Sequence, residues 1–223
     1  MAKKRVKVFG KFCSVSEPMS LEKAEKLIGG PKKLFTIQDY TKVFSRSLDE
    51  SVVKRYEKVP FSEAELIQAH KWGMILVAIP SMISLEMLIA ANGDNYLWVA
   101  DSLKADDSFL YIKTRLGGYI LLFPEVFGTK RMSFPEQMKF IPQTLESPLA
   151  IEMAYVDLLV AAKYGKKASR KRLRCFDELH SGKHVTVRIA TDTFKVKIEE
   201  AEDTEKSWDL ALAGGYFRTT STE

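Results

Sequence analysis

Hydrophobic and polar positions along this 223-residue chain change period several times, and each change marks an element. Leu21, Ala24, Leu27 and Ile28 share one helical face, Ser20 is placed to cap the free N–H groups, and Gly29-Gly30-Pro31 stops the run. In FSEAEL (61–66), Ser62 and Glu65 form a capping box and Phe61 is spaced to staple onto Leu66, which predicts a helix over 63–72 ending at Gly73. MILVAI (74–79) is a short unbroken apolar run, the pattern of a strand buried on both faces. Ser81 then restarts a helix with Met82, Leu85, Leu88 and Ile89 on its face, closed by Asn92-Gly93.

YLWV (96–99), FLYIKT (109–114) and YILLF (119–123) have the aromatic and β-branched content of strands, and Gly117-Gly118 is suited to turn the last two into a hairpin. Residues 124–146 carry Pro124, Pro135 and Pro142 and read as a mostly irregular connection, the one place for an internal boundary. Ser147-Pro148 opens the longest helix, with Ile151, Ala154, Tyr155, Leu158, Leu159 and Ala162 on its apolar face and Gly165 as its stop. HVTVRIA (184–190) and FKVKIE (194–199) alternate at period two around Thr191-Asp192-Thr193, a hairpin with one polar face. Together these elements predict a single α+β domain over residues 1–223, with helices packed on a mixed or antiparallel sheet and a C-terminal hairpin.

Residues 72–91 have the length of a membrane span and one charge. Pro80 and Ser81 split the run, however, and Glu86 would sit in hydrocarbon at a cost of about 3 kcal/mol. A buried strand followed by a core helix is the better reading, with no membrane partner. The N-terminal MAKKRVKVFG lacks the apolar core of a secretory signal, and Cys13 and Cys175 lie far apart, so a reduced, cytoplasmic setting is expected.

Charge sharpens the picture at one place. The net charge is +5, and residues 166–174 alone carry six cations, so the remainder of the chain sums to −1. On a helix, Lys167, Arg170, Lys171 and Arg174 would share a face able to track phosphates, with Lys166 and Arg172 beside them. The five acids in EEAEDTE (199–205) offer an internal counter-charge. A solvated or internally paired helix end therefore ranks first for this run, ahead of nucleic acid and of another acidic partner. The tail SWDLALAGGYF (207–217) adds Trp208, Tyr216 and Phe217, aromatics that either pack the tail onto the domain or form a binding surface.

Catalytic chemistry finds little support in the sequence. Cys175, His180 and His184 have zinc-ligand types, but Ser181-Gly182 breaks any helix that would align the histidines and no fourth ligand is near, so neither metal nor other cofactor is expected. No G-x-S-x-G, H-E-x-x-H or phosphate-cradling P-loop occurs. Asp106 and Asp107 read as solvated loop carboxylates, and Cys13 as a core residue.

From Ser147 to Phe217 the chain runs through a Ser-Pro-initiated helix, a basic link, SGKHVTVRI, a short turn, FKVKI, an acidic stretch and DLALAGGYF. In this order it resembles the C-terminal part of candidate-phylum bacterial proteins akin to the variable proteins of diversity-generating retroelements, whose ends adopt a C-type-lectin-like ligand-binding fold. The resemblance implies a binding module. The expected function is therefore a non-catalytic binding or interaction protein with a protein or small-ligand partner. A nucleic-acid-associated protein acting through residues 166–174 is the second reading, and an enzyme with scattered residues the third.

Overall fold

The computed structural model describes residues 18–45, 47–114, 117–123, 128–140, 148–164, 172–179, 181–190, 195–207, 210–212 and 216–218. In chain order the strands are β1 (Met19–Ser20), β2 (Leu34–Phe35), β3 (Lys58–Val59), β4 (Ile75–Ile79), β5 (Leu97–Val99), β6 (Gly118–Leu122), β7 (Arg172–Glu178), β8 (His184–Ile189), β9 (Val196–Ala201), β10 (Leu210–Leu212) and β11 (Tyr216–Arg218). The helices are α1 (Leu21–Ile28), α2 (Tyr40–Phe44), α3 (Glu50–Lys54), α4 (Glu63–Lys71), α5 (Leu85–Tyr96), α6 (Asp101–Lys104), α7 (Asp107–Leu110), α8 (Phe134–Met138) and α9 (Ala150–Tyr164).

Two mixed sheets organise these elements, one in the order β10-β7-β8-β9-β5 and one in the order β11-β6-β4-β2, beside a small β1-β3 pair. The α+β class and the C-terminal hairpin are thus present, the hairpin being β8 and β9 in register from His184↔Ala201 to Ile189↔Val196. Alternation along the four-stranded sheet sends Leu34, Leu76, Ala78, Tyr119 and Leu121 to one side, in a cluster with Ala24 and Ile28 of α1 and Leu66 and Ala69 of α4. Phe35, Ile75, Val77, Ile120 and Leu122 point the other way. They share a second cluster with α9 and with the inner residues of the five-stranded sheet, Leu173, Val185, Val187, Val196 and Ile198.

Helix α9 therefore lies between the two sheets. That position explains why residues 150–159 are buried all round, where the periodicity predicts a single apolar stripe. Ala162, assigned to that stripe, is exposed. At its C-terminal end Lys163 Nζ donates to Leu34 O and Asp39 Oδ2, each at 2.9 Å, tying α9 to the edge of the four-stranded sheet. Burial pushes the Asp39 carboxyl up, but its bonds from Lys42, Lys163 and Thr36 outweigh that and leave it below the ordinary carboxylate value.

The capped helices form where their caps stand. Ser20 accepts from Lys23 N, and α1 ends at Gly29, whose φ of 100° is left-handed. A Cβ on Gly29 would lie 2.3 Å from His70 Nδ1, the atom that sits 3.0 Å from Ile28 O. Both halves of the Ser62–Glu65 capping box are made, and Phe61 and Leu66 are buried in one cluster.

Elsewhere local chemistry overrides the apolar pattern. The helix after β4 begins at Leu85, because it is Ser84 that caps Met87 N, at 3.1 Å. Met82, expected on its core face, has φ 66° and is 57% exposed. FLYIKT is not a strand: Asp106 caps a single helical turn through Phe109 N, and Thr114 Oγ1 donates to Pro80 O and accepts from Ile83 N. The hairpin expected at Gly117-Gly118 is replaced by pairing of β6 with β4 and β11. Within the Pro-rich stretch, Ser133 and Glu136 form a further capping box that starts α8. Ser147, Gly165 and Thr191-Asp192-Thr193 lie outside the described residues.

Leu210–Leu212 runs parallel to β7 and Tyr216–Arg218 antiparallel to β6, so the C-terminal segment supplies an edge strand to each sheet. No helix among the described residues is long and apolar enough to cross a membrane.

Candidate functional site on the outer sheet face

The side of the five-stranded sheet turned away from α9 carries Arg172 and Arg174 from β7, His184, Thr186 and Arg188 from β8, Lys197 and Glu199 from β9, and Trp98 from β5. Cross-strand register aligns them: Arg174↔Thr186, Thr186↔Glu199, Arg188↔Lys197 and Trp98↔Lys197. Polar side chains alternate here with the core residues of the same strands, as the period-two pattern of residues 184–199 requires.

One half of this face is closed. Helix α8 and residues 202–207 lie across it, and Arg174 beneath them is fully buried. The guanidinium donates through Nη1 to Gln137 Oε1 at 2.9 Å, and through Nη2 to Glu202 O at 2.8 Å and Glu205 O at 3.2 Å. Gln137 in turn donates to Thr129 O at 2.9 Å. Phe134 lies over both Arg174, at 5.9 Å from its ring centroid, and His184, whose ring centroid is 3.6 Å away. His184 Nε2 stands 3.2 Å from Asp203 Oδ1. Burial lowers the Arg174 pKa, against the opposing pull of Glu205 and Asp203, but an arginine keeps its charge across the accessible range. At the rim, the Glu136 carboxyl is held down to about 2 by its bonds from the Ser133 backbone, Lys206 and the Ser133 hydroxyl. The bonds from Arg174 to Gln137 and to the carbonyls of Glu202 and Glu205 make this half a buried polar clasp that fixes α8 to the sheet.

Among the described residues the other half is the more exposed. A transverse row crosses it from the β5 edge inward: Trp98, Lys197, Arg188 and, one step beyond the Leu173↔Val187 pair, Arg172. Trp98 is 37% exposed with Lys197 Nζ 5.7 Å from its ring centroid, and Tyr96, two residues earlier, is 64% exposed. Arg188 Nη2 donates to Glu199 Oε1 at 3.1 Å, and Arg172 pairs with Glu205.

Of the residues singled out by sequence, Arg172 and Arg174 fall on this face, in a strand and not in the helix considered for the run. Arg174 points into the clasp and presents no cation to solvent. Lys166, Lys167, Arg170, Lys171 and Trp208 lie outside the described residues, and Tyr216 and Phe217 form part of edge strand β11. The acidic stretch meets cations as its charge implies, yet several of its partners come from β8 and the turn before it: Lys183 pairs with Glu200 and Glu202, and Arg188 with Glu199.

Cys175 is buried on the α9 side, opposite His184, so the two do not converge. Burial first, and then Asp177, Asp157 and Glu152, push its thiol well above the ordinary value. His180 and Cys13 lie outside the described residues. Among the described residues no group of three or more His, Cys, Asp and Glu is placed to hold a metal ion.

Trp98, Lys197 and Arg188 were not singled out by sequence. Arg188 and Lys197 are visible as the polar face of the alternating strands, but nothing in YLWV announces a parallel pairing with a strand that begins at Val196. No protein-family model, curated protein or solved structure matches the chain.

Proposed function

We propose that the chain is a non-catalytic binding protein whose more exposed half-sheet holds a polyanionic partner. One observation carries the reading: Trp98, Lys197, Arg188 and Arg172 form a row across four neighbouring strands on the side of the sheet turned away from α9, partly exposed among the described residues. Lys197 and Arg188 stand directly opposite each other, an arrangement that costs stability in the free protein and that an anion between them relieves. The clasp next to the row holds this surface rigid, which keeps the ordering cost of binding low. Arg174, the most deeply buried cation of the clasp, supports the non-catalytic reading, since its Nη1 and Nη2 bonds hold α8 and residues 202–205 to the sheet. The resemblance of residues 147–217 to ligand-binding modules supports binding in the same region, because that segment contributes Arg172, Arg188 and Lys197.

Heparin, a polyanion without aromatic groups, tests the reading. The protein is expected to bind it at low salt, and the double variant Lys197→Gln, Arg188→Gln to elute from a heparin column at clearly lower salt. Identical elution of wild type and variant would overturn the proposal.

A further inference from the structure

Resting on that polyanion reading, we infer that the partner is single-stranded nucleic acid, with a base stacked on Trp98 and its flanking phosphates held by Lys197 and Arg188. Three features of the row select this ligand among polyanions. The first is the aromatic. Trp98 stands at the outer end of the cation row on β5, the edge strand of this sheet among the described residues, and is 37% exposed, so a planar group has room to approach its ring. A base offers a π-face to such a ring, whereas sulfated sugars, polyphosphate and acidic side chains do not.

Spacing is the second feature. Four adjacent strands at about 4.8 Å put roughly 14 Å between Trp98 and Arg172, the width of sheet on which aromatic-bearing sheet folds stack two or three bases. Tyr96, exposed two residues before Trp98, is a second aromatic at the same edge. A duplex is disfavoured because its base faces are already stacked within the helix.

The third is the state of the cations. Lys197 has no carboxylate partner among the described residues and rests on the Trp98 ring, from which a stacking base can displace it towards a phosphate. Arg188 gives Nη2 to Glu199 and keeps its side chain 31% exposed at the surface. The aromatic thus stands at one end of a run of cations, so that a base stacked there has its neighbouring phosphates over the run, and binding through stacking and charge is sequence-tolerant.

The test is fluorescence anisotropy of labelled oligo-dT and oligo-rU, with a duplex of equal length and heparin as competitors, at two salt concentrations. The wild type is expected to bind both single strands with a Kd in the micromolar range and to bind the duplex more weakly. Trp98→Leu should weaken single-strand binding about tenfold, the low end of the loss for removing one stacking platform, and Trp98→Phe should restore most of it. Lys197→Gln should leave the melting temperature no lower than that of the wild type and lower the slope of log affinity against log salt by ~0.7. Binding of oligo-dT but not oligo-rU, or the reverse, assigns the ligand to DNA or RNA within the inference. Heparin binding without oligonucleotide binding, or equal affinity of wild type and Trp98→Leu, overturns the inference and leaves the polyanion reading in place. Absence of both bindings overturns the two together.

Discussion

Replacing Asp157 by Asn should remove a pH dependence that this one carboxyl imposes on the fold. Asp157 sits on α9 between the two sheets, 3% exposed, with no hydrogen-bond partner for Oδ2. Burial raises its pKa to about 7, from an ordinary aspartate value of about 3.9. The folded chain therefore keeps a proton that the unfolded chain releases. Below about pH 4 both states are protonated and the stabilisation is complete; it drains away as pH rises through the window from about 4 to 7, and levels off above. A displacement of about three pH units at ~1.4 kcal/mol each sets the full swing near 4 kcal/mol. Asn keeps the shape and cannot ionise. Urea midpoints of wild type and Asp157→Asn, compared from pH 4 to 9, should coincide within about 1 kcal/mol at the acid end. Near pH 8 the variant should be more stable by a few kcal/mol. Taking the difference cancels the carboxyls with lowered pKa values, Asp39 and Glu136, whose stabilisation runs the other way and is lost towards acid. A difference that stays flat across this range would refute the claim that Asp157 is buried and unpaired.

Arg174→Met should cost about 3 kcal/mol or more, read from chemical denaturation, because it strands Gln137 Oε1 and the Glu202 and Glu205 carbonyls that the guanidinium now satisfies. Gly29→Ala should lower the melting temperature by combining left-handed strain of about 1–2 kcal/mol with the clash against His70, whereas Gly30→Ala, whose added Cβ meets nothing within 4 Å, should cost only the strain of its own backbone, at φ 97° and ψ −177° in a region kept for glycine. Ser62→Ala should destabilise by about 1 kcal/mol through loss of the α4 cap, with the difference confined to stability and absent from polyanion binding.

The elements legible in the sequence are those whose determinants are local. Ser20 with Gly29 and Ser62 with Glu65 bound α1 and α4 because a cap and its partner sit within one turn, and the apolar run 74–79 marks β4 because a strand between two others has no polar face to show. Local signals also explain two misses. SFPE (133–136) is a capping box as plain as that of α4, but the surrounding prolines masked it. Asp106 turns the aromatic-rich stretch after it into a helical turn by capping Phe109 N, which composition alone does not reveal. The candidate site was less legible for a different reason. Six cations in nine residues read as a surface, yet Arg174 is drawn inward by Gln137 and two backbone carbonyls, the latter contributed by residues about thirty positions away. Trp98 joins Lys197 only because β5 pairs in parallel with β9, a contact between strands separated by most of the second half of the chain.

The most direct test of where this protein binds is chemical-shift mapping on the ¹⁵N-labelled chain during titration with oligo-dT. Shifts concentrated on the β5 amides around Trp98 and on Arg188 and Lys197, with the α1–α4 side of the four-stranded sheet silent, are the result expected from the more exposed half-sheet. Shifts centred on β11 and the four-stranded sheet, with Trp98 and Lys197 unmoved, would contradict it.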